Sequence, residues 1–424
     1  ENYDHQGKGI IKTESGHVAF VPGVMQDEEV RVRPVTYTDK IIHGQAIDIK
    51  ASSPKRIAPT CPHFEACGGC QLQYMTNQEQ VEIKQSALSR LFSTQLKIKD
   101  LPWQPAIVGP EWGYRRTARL VTWVEQDGSV TLGFRQQNSN QIVDIQACPV
   151  LAPELMGHIL ALKPVLASLT DKRKVTHVQA FYLSGDSHLF LRTLGPLTNE
   201  DKSTLMNFAK QQGRHLSLEY DKQAFESLTT DKDQHNSLLE YRLDSLTFKF
   251  QPQNFIQINE QVNQRMVEQA MAWLTLDADD VVLDLFAGIG NFTLPLARRV
   301  KQVMAVEGVN DMVKRIKSNA ESNKLDNVSA HQADLSKFDH KRPPQWLKPI
   351  DKLLLDPARD GAFAVVKKIP LLKPRQILYV SCNPATMVRD VKHLMSADYR
   401  LTKLGLLNMF PHTSHVEAMA LLEK

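Results

Sequence analysis

The chain has 424 residues, of which 42% are hydrophobic and 23% are charged, and its formal net charge is +4. This length exceeds one ordinary domain, the composition excludes wholesale disorder, and the weakly basic charge neither demands nor excludes a polyanionic partner. No stretch approaches the roughly 20 apolar residues that a membrane span requires, and the first residues carry no signal-peptide pattern, so we expect a cytoplasmic protein with no membrane partner.

Residues 1–52 carry short β-prone runs, at residues 17–21 and 29–33, separated by glycines and prolines. Short strands with closely spaced turn signals predict a small β-barrel as the first domain. Because the chain begins with Glu1 rather than Met, we expect that some residues precede it. Ser, Pro and charged residues at 51–56 then predict a linker.

Residues 53–252 form the second predicted domain. A cysteine-rich turn is followed by a helical pattern from about Asn77 to Leu91. Farther on, β-prone runs at residues 178–183 and 188–192 precede an amphipathic helical pattern at 201–211. Alternating patterns of this kind predict a mixed α/β domain.

Residues 253–424 form the third predicted domain, in which helical patterns alternate with continuous apolar runs. These runs are Val281–Leu285, residues 302–306, Lys352–Leu355 and Gln376–Ser381. Apolar strands between helices predict a sheet covered on both faces, hence a Rossmann-like, doubly wound α/β domain. In such sheets ligands bind at the carboxyl ends of the strands.

A glycine-containing loop follows the first of these strands. The segment from Asp284 to Thr293 has the form Asp-x-Phe-x-Gly-x-Gly-x-Phe, and the next strand ends at Glu307. Glycines after a strand let the backbone approach a nucleotide-like ligand, and a carboxylate at the next strand end suits ribose hydroxyls. Thr293 stands where a dinucleotide fingerprint needs its third glycine, which disfavours NAD. The loop resembles motif I of S-adenosylmethionine-dependent methyltransferases.

Five cysteines fall into a group of four and a single distant one. The four are Cys61, Cys67, Cys70 and Cys148. Four thiolates suit zinc or a [4Fe–4S] cluster, and disulfides are disfavoured in a reducing compartment. A three-cysteine run with a distant Cys-Pro favours iron–sulfur over the paired Cys-x-x-Cys knuckles of zinc sites.

Cys382 follows the last predicted strand and precedes a probable helix start, where the helix dipole can favour a thiolate. A lone cysteine is otherwise most often a buried small hydrophobe. A thiolate that adds to carbon 6 of uracil makes carbon 5 nucleophilic, and a base must later remove the carbon 5 proton. Glu417 is the candidate base, although such a residue alone is more often a solvated carboxylate.

Several segments together resemble the RNA uracil-C5 methyltransferases. They are Phe255–Asn259, the glycine loop, Asp356–Arg359, Ser381–Thr386 and Met409–Glu417. The resemblance implies that Cys382 is the nucleophile and Glu417 the base. It also implies S-adenosylmethionine as cofactor, with contacts at Gln257, Phe286, Asn291, Glu307, Asp334 and Asp356. Ala287 and Asp334 depart from some relatives, and Asp356 could equally orient the uracil.

The cysteine run resembles the iron–sulfur segment of the family branch that modifies 23S ribosomal RNA, and residues 1–52 are similar to a TRAM RNA-binding barrel that lacks its first strand. The resemblance therefore implies a [4Fe–4S] cluster and 23S ribosomal RNA as partner, and we expect a monomer. Aromatic and basic residues suit RNA contacts: Trp112, Tyr114, Arg115, Arg116, Arg119, Phe134 and Arg135. Phe255 could receive an unstacked base.

Two other classes stay open at this point. One is a catalytically inactive iron–sulfur protein that binds RNA or senses redox state, and the other is an NAD-dependent oxidoreductase. The intact glycine loop, Cys382 and Glu417 speak against the first, and the missing third glycine speaks against the second.

Overall fold

The computed structural model describes residues 2–13, 16–221, 224–229, 238–337 and 344–424. Five strands form the N-terminal sheet: β1 (Asn2–Tyr3), β2 (Gly9–Lys12), β3 (Val18–Val21), β4 (Glu29–Tyr37) and β5 (Ile41–Ala51). The first three are short, as the turn-rich sequence predicts, whereas β4 and β5 have 9 and 11 residues. Their order is β1-β2-β3-β5-β4, and β3 pairs with β5 in parallel. Within these described strands no pairing joins β1 to β4.

Helix α1 (Asn77–Leu96) begins with a capping box in which Thr76 and Glu79 satisfy each other's backbone N–H groups. It extends past Leu91, where the sequence pattern predicts its end, because no glycine or proline intervenes before Lys97 takes a left-handed conformation. Its Leu88 and Phe92 pack in a hydrophobic cluster with the C-terminal sheet. Strand β6 (Ile107–Val108) joins the edge of that same sheet.

The central region is a mixed α/β unit, as predicted. Its elements are β7 (Thr117–Val124), β8 (Val130–Arg135), β9 (Ile142–Asp144), α2 (Pro153–Ser168), β10 (Val175–Leu183), β11 (Asp186–Thr193), α3 (Asn199–Gln212), β12 (His215–Asp221) and β13 (Ala224–Ser227). The strands are ordered β13-β12-β11-β10-β7-β8-β9. Helices α2 and α3 share a hydrophobic cluster with this sheet. A short 3-10 helix, Lys172–Lys174, precedes β10.

A separate hairpin, β14 (Leu239–Leu243) and β15 (Leu246–Phe250), packs on the C-terminal unit. Asn323 Oδ1 accepts a hydrogen bond of 2.9 Å from Thr247 N, and Asn319 Oδ1 accepts one of 2.9 Å from Lys249 N. Both asparagines lie on or directly after helix α6, introduced below. The hairpin is therefore tied by hydrogen bonds to the C-terminal unit, while Phe250 also packs on Phe181 of the central sheet.

The C-terminal unit is an eight-stranded sheet flanked by helices. Its further elements are α4 (Glu260–Trp273), β16 (Val281–Leu285), α5 (Thr293–Ala297), β17 (Gln302–Glu307), α6 (Asn310–Ser322), β18 (Val328–Gln332), β19 (Lys352–Leu355), α7 (Phe363–Val366), β20 (Gln376–Ser381), α8 (Pro384–Met395), β21 (Arg400–Asn408) and β22 (Glu417–Glu423). Two 3-10 helices, Leu335–Lys337 and Ile369–Leu371, lie among them. No helix in the described part of the chain is long and apolar enough to cross a membrane.

The strand order of this sheet is β18-β17-β16-β19-β20-β22-β21-β6. The four strands predicted from apolar runs are present and parallel. Strand β22 is antiparallel and inserts between β20 and β21. This insertion, which the apolar runs do not predict, brings the start of β22 to the edge where β16, β19 and β20 end.

Candidate active site

Three strand ends bring the predicted nucleophile and base together. Cys382 directly follows β20, and Glu417 opens β22. Ser381 pairs with Ala418 across the antiparallel ladder, so Cys382 and Glu417 occupy the next opposed positions. Asp356 follows the neighbouring strand β19. A thiol and two carboxyl groups therefore share one corner of the sheet edge.

Burial controls the protonation of this corner. It raises the pKa of Glu417, which is only 6% exposed, to about 8, and the Asp356 carboxylate adds repulsion. Burial also raises the pKa of Asp356 to about 7. The pKa of Cys382 is raised by burial and then by Glu417 and Asp356, while Arg359 acts in the opposite direction. Glu417 Oε2 is buried without a hydrogen-bond partner among the described residues. This oxygen is therefore free to exchange a hydrogen bond or a proton with a bound ligand.

A hydrogen-bonded turn fixes Cys382. Asn383 N donates to Ser381 Oγ at 3.1 Å, and Asn383 Oδ1 caps helix α8 through Ala385 N at 3.1 Å. Asn383 Nδ2 donates to Arg359 O at 2.8 Å, which ties the turn to the loop after β19. The helix start predicted after Cys382 is present.

The glycine loop follows β16 with an unusual backbone. Phe286, Gly288 and Gly290 have φ values of +63°, +57° and +99°. Gly290 needs glycine chiefly because side chains are strained at its φ, and a Cβ there would also lie 2.5 Å from Leu294 Cδ1. Glu307 stabilises the loop, because its carboxylate accepts from Gly288 N and from Val309 N at 3.0 Å each.

Two polar pairs lie beneath the glycine loop. The sequence prediction includes Asn291 but neither of these two pairings. Asn263 and the predicted Asn291 exchange side-chain amide hydrogen bonds of 2.9 and 3.0 Å. Thr293 Oγ1 donates to Asp284 Oδ2 at 2.5 Å. Asn263 lies on the buried face of α4, and its polar side chain in an otherwise apolar stripe was the only signal for its role.

The remaining predicted cofactor residues lie around the same edge. Gln257 is 7% exposed, and its Oε1 has no hydrogen-bond partner in the described structure. Ala333 N donates to Glu307 O at 3.1 Å, so Asp334 lies one residue beyond that contact. Asp334 is exposed, and its carboxylate binds Ser336 and Lys337. Those two neighbours lower its pKa.

The four N-terminal cysteines line one cavity of about 890 Å³. Burial, followed by repulsion from neighbouring thiols, raises the pKa of Cys148 to about 12, and burial raises that of Cys70 to about 11. The four thiols therefore share the lining of one cavity. Across the described ranges, however, no three His, Cys, Asp or Glu side chains are arranged to hold a metal ion.

The prediction of RNA contacts is wrong for two residues. Tyr114 is 6% exposed and its hydroxyl donates to Pro411 O at 3.0 Å. Arg116 is 4% exposed, lies over the ring of Tyr241 at 4.4 Å and donates through Nε to Gln257 O at 3.0 Å. Both are structural, because even-numbered residues in this segment face the core. In contrast, Phe255 is 66% exposed.

The other basic and aromatic candidates surround the cysteine cavity or pack beside it. Arg115, Arg119, Phe134 and Arg135 line the cavity itself. Trp112 instead stacks on His412, with ring centroids 3.8 Å apart. Guanidinium groups and a partly exposed phenyl ring thus border the thiols.

Comparisons with known proteins agree on one family. The family model described as tRNA (Uracil-5-)-methyltransferase matches residues 76–424. The 23S rRNA (uracil(1939)-C(5))-methyltransferase RlmD of Shewanella sediminis is 39% identical over 421 residues, which are 99% of this chain and 94% of that protein. The RlmD protein of Photorhabdus laumondii is 40% identical over 428 residues, and the match covers 100% of this chain and 95% of that protein.

A solved structure shares the fold over the full chain. It is the Pyrococcus abyssi tRNA (uracil-54, C5)-methyltransferase in complex with S-adenosyl-L-homocysteine. The TM-score is 0.74 at 24% identity, and the match covers 100% of this chain and 98% of the other. The two proteins therefore share one mixed α/β fold.

Proposed function

This chain belongs to the tRNA (uracil-5-)-methyltransferase family, and we propose that it methylates carbon 5 of a uridine in 23S ribosomal RNA. Relatives named for that reaction match nearly the full chain at about 40% identity. The observation that carries the proposal is the meeting of Cys382 and Glu417 at opposed positions beside the glycine loop. An inactive RNA-binding or redox-sensing protein would have no use for this pair.

S-adenosylmethionine fits the edge formed by the glycine loop, where it would supply an electrophilic methyl group. The buried Gln257 Oε1 and Asp284 Oδ1 have no partners in the described structure and suit a polar ligand. We assign the cofactor contacts to Gln257, Phe286, Asn291, Glu307, Asp334 and Asp356. Asp356 also stands beside the thiol, which suits orientation of the uracil.

The proposed mechanism uses the thiol and the carboxyl in turn. Cys382 Sγ gives its proton to solvent water, and the thiolate adds to carbon 6 of the uracil. The C5–C6 π bond breaks as the S–C6 bond forms, and its electron pair makes carbon 5 nucleophilic. Once carbon 5 bears the methyl group, the Glu417 carboxylate removes the carbon 5 proton, and the thiolate leaves carbon 6. A base whose pKa is about 8 operates near its most effective pH.

The Glu417→Gln variant tests this mechanism. We expect it to accumulate a covalent complex with unmodified 23S ribosomal RNA in the presence of S-adenosylmethionine, because the thiolate can add but cannot leave. Cys382→Ala should form no complex on a denaturing gel. Glu423→Gln, on the same strand, is the matched control and should turn over normally. Absence of a retarded species with Glu417→Gln would overturn the proposed roles.

We also propose that the cysteine cavity holds a [4Fe–4S] cluster through Cys61, Cys67, Cys70 and Cys148. All four thiols line this cavity, although no three donors among the described residues are arranged to hold a metal ion. The support for a cluster is the sequence spacing, since a three-cysteine run with a distant Cys-Pro suits iron–sulfur better than zinc. Anaerobically prepared protein should be brown, and Cys148→Ser should lose the colour. A colourless protein with one bound zinc would contradict this assignment.

The RNA partner is supported by a second cavity of about 510 Å³, which lies between the central sheet and the cofactor edge. Arg119, His177 and Arg192 line it together with Val309 and Met312. Burial and then these two arginines lower the pKa of His177. Glu219 and Asp311 also line this cleft, so its support for an RNA partner rests on the two guanidinium groups, which suit individual phosphates.

We propose that residues 1–52 form a TRAM barrel, residues 53–252 the central domain and residues 253–424 the catalytic domain. Helix α1, strand β6 and the β14–β15 hairpin precede residue 253 but pack on the catalytic domain. Short β-strands around a small apolar cluster support the barrel assignment. We also propose that the protein acts as a cytoplasmic monomer, since ribosomal RNA lies in that compartment and each predicted catalytic group comes from one chain.

A further inference from the structure

The loop between β21 and β22 is held by groups from outside its own hairpin. Four successive carbonyl oxygens, of Met409, Phe410, Pro411 and His412, each accept at least one such hydrogen bond. The donors are Asn259 Nδ2 (3.2 Å), Lys84 Nζ (3.2 Å), Tyr114 Oη (3.0 Å), and Gln71 N and Leu72 N (2.8 and 3.0 Å). A loop restrained at every successive carbonyl has little freedom to move.

Most of these groups belong to residues 71–84, directly after the cysteine run. Gln80 is fully buried; its Oε1 accepts from His412 N at 2.6 Å, and its Nε2 lies 3.1 Å from His412 Nδ1. Gln71 Oε1 accepts from Ser414 N at 3.2 Å. His412 has a φ of +66°, a conformation that a residue other than glycine keeps only when its surroundings impose it.

This loop leads directly into the proposed base. Glu417 is the first residue of β22, opposite Leu407 and beside Cys382. Gln80 and Gln71 touch neither the thiol nor the glycine loop in the hydrogen bonds that the structure describes. Their contacts act on the loop backbone at His412 and Ser414, so a change there would displace the start of β22.

We propose that Gln80 and Gln71 are positioning residues that hold the Glu417 carboxyl in reach of the carbon 5 proton. This inference rests on the proposed function. Its specific consequence is that loosening the loop slows release of the covalent complex more than its formation, because only the base is displaced. A role in folding alone would lower stability without this kinetic signature.

Gln80→Met is the main test, because methionine keeps the length of the side chain and removes both hydrogen-bonding ends. We expect kcat to fall by about 10- to 100-fold, in line with the effect of a displacement of about 1 Å, while KM for RNA stays within about twofold. The covalent enzyme–RNA complex should accumulate during turnover. Gln71→Ala, at a half-buried site, should show the same effect more weakly and remains testable if Gln80→Met does not fold.

Gln376→Met is the matched control. Gln376 is also buried and hydrogen-bonded, to Thr275 and Glu423, but it lies at the opposite end of β20 from Cys382. It should lose thermal stability like Gln80→Met and accumulate no covalent complex. The inference is overturned if Gln80→Met and Gln376→Met accumulate the covalent complex equally. It is also overturned if Glu417→Gln traps the complex but neither Gln80→Met nor Gln71→Ala accumulates it. Absence of a trapped complex in Glu417→Gln itself refutes the proposed function instead.

Discussion

Replacing Glu417 by Gln should stabilise the ligand-free protein, and increasingly so as the pH rises. Burial raises the pKa of this carboxyl from its ordinary 4.5 to about 8, with a further contribution from Asp356. A carboxyl whose folded-state pKa exceeds its unfolded value stabilises the native state fully below about pH 4.5 and loses that contribution as the pH rises through 8. The pKa difference between 8 and 4.5, at about 1.4 kcal/mol per pKa unit, limits the stability that Glu417 costs the native state at alkaline pH to about 5 kcal/mol. Glu417→Gln can gain at most this amount.

Thermal unfolding of both proteins without ligands, from about pH 5 to about pH 9, measures this difference. If all 424 residues unfold together, about 5 kcal/mol corresponds to a gain in Tm of about 5 °C for Glu417→Gln at the alkaline end. Glu423→Gln is the control, because a hydrogen bond with Gln376 lowers the pKa of Glu423. That variant should be destabilised at neutral pH. A Tm difference between Glu417→Gln and wild type that does not grow with pH would refute the reasoning.

Three further variants test the cofactor edge and the cleft that Arg119 and Arg192 line. Thr293→Val removes the 2.5 Å hydrogen bond to buried Asp284, so the free energy of unfolding in urea should fall by about 1–3 kcal/mol; an unchanged midpoint would contradict this. Asn263→Leu breaks the amide pair with Asn291, so calorimetry should show about tenfold weaker binding of S-adenosylmethionine. An unchanged affinity would contradict this prediction. Arg119→Ala should weaken RNA binding and lower the slope of log affinity against log salt concentration by about one phosphate contact. An unchanged slope would show that Arg119 contacts no phosphate.

The residues of the reaction could be predicted because each lies in a continuous motif at a strand end. Cys382 and the glycine loop follow apolar runs that read clearly as buried strands, and such strands end at one edge of a parallel sheet. Glu417 was found by resemblance rather than by pattern. Its strand is antiparallel and enters the sheet through a hairpin, which the apolar runs alone do not reveal.

What could not be predicted depends on contacts between distant parts of the chain. Gln80 and His412 lie 332 residues apart, and no local pattern connects a buried glutamine on α1 to a loop before β22. The aromatic-basic run near Arg116 misled the prediction for a different reason. Every second residue of this segment is buried: Tyr114, Arg116, Ala118 and Leu120. The alternation typical of a strand was therefore present, but a tyrosine and an arginine at two of the buried positions hid it.

The raised pKa values explain how the fold accommodates acidic groups beside the thiol. Glu417, with a pKa of about 8, is largely protonated near neutral pH, and Asp356, with a pKa of about 7, is about half protonated, which limits their mutual repulsion. The pKa of Cys382 is raised for the same physical reason, so the resting thiol is protonated as well. A site with little fixed negative charge accepts an uncharged pyrimidine beside RNA phosphates at a low electrostatic cost. The same neutrality requires that the thiol and the base each lose a proton before they act, so the rate of methyl transfer should rise with pH across this range.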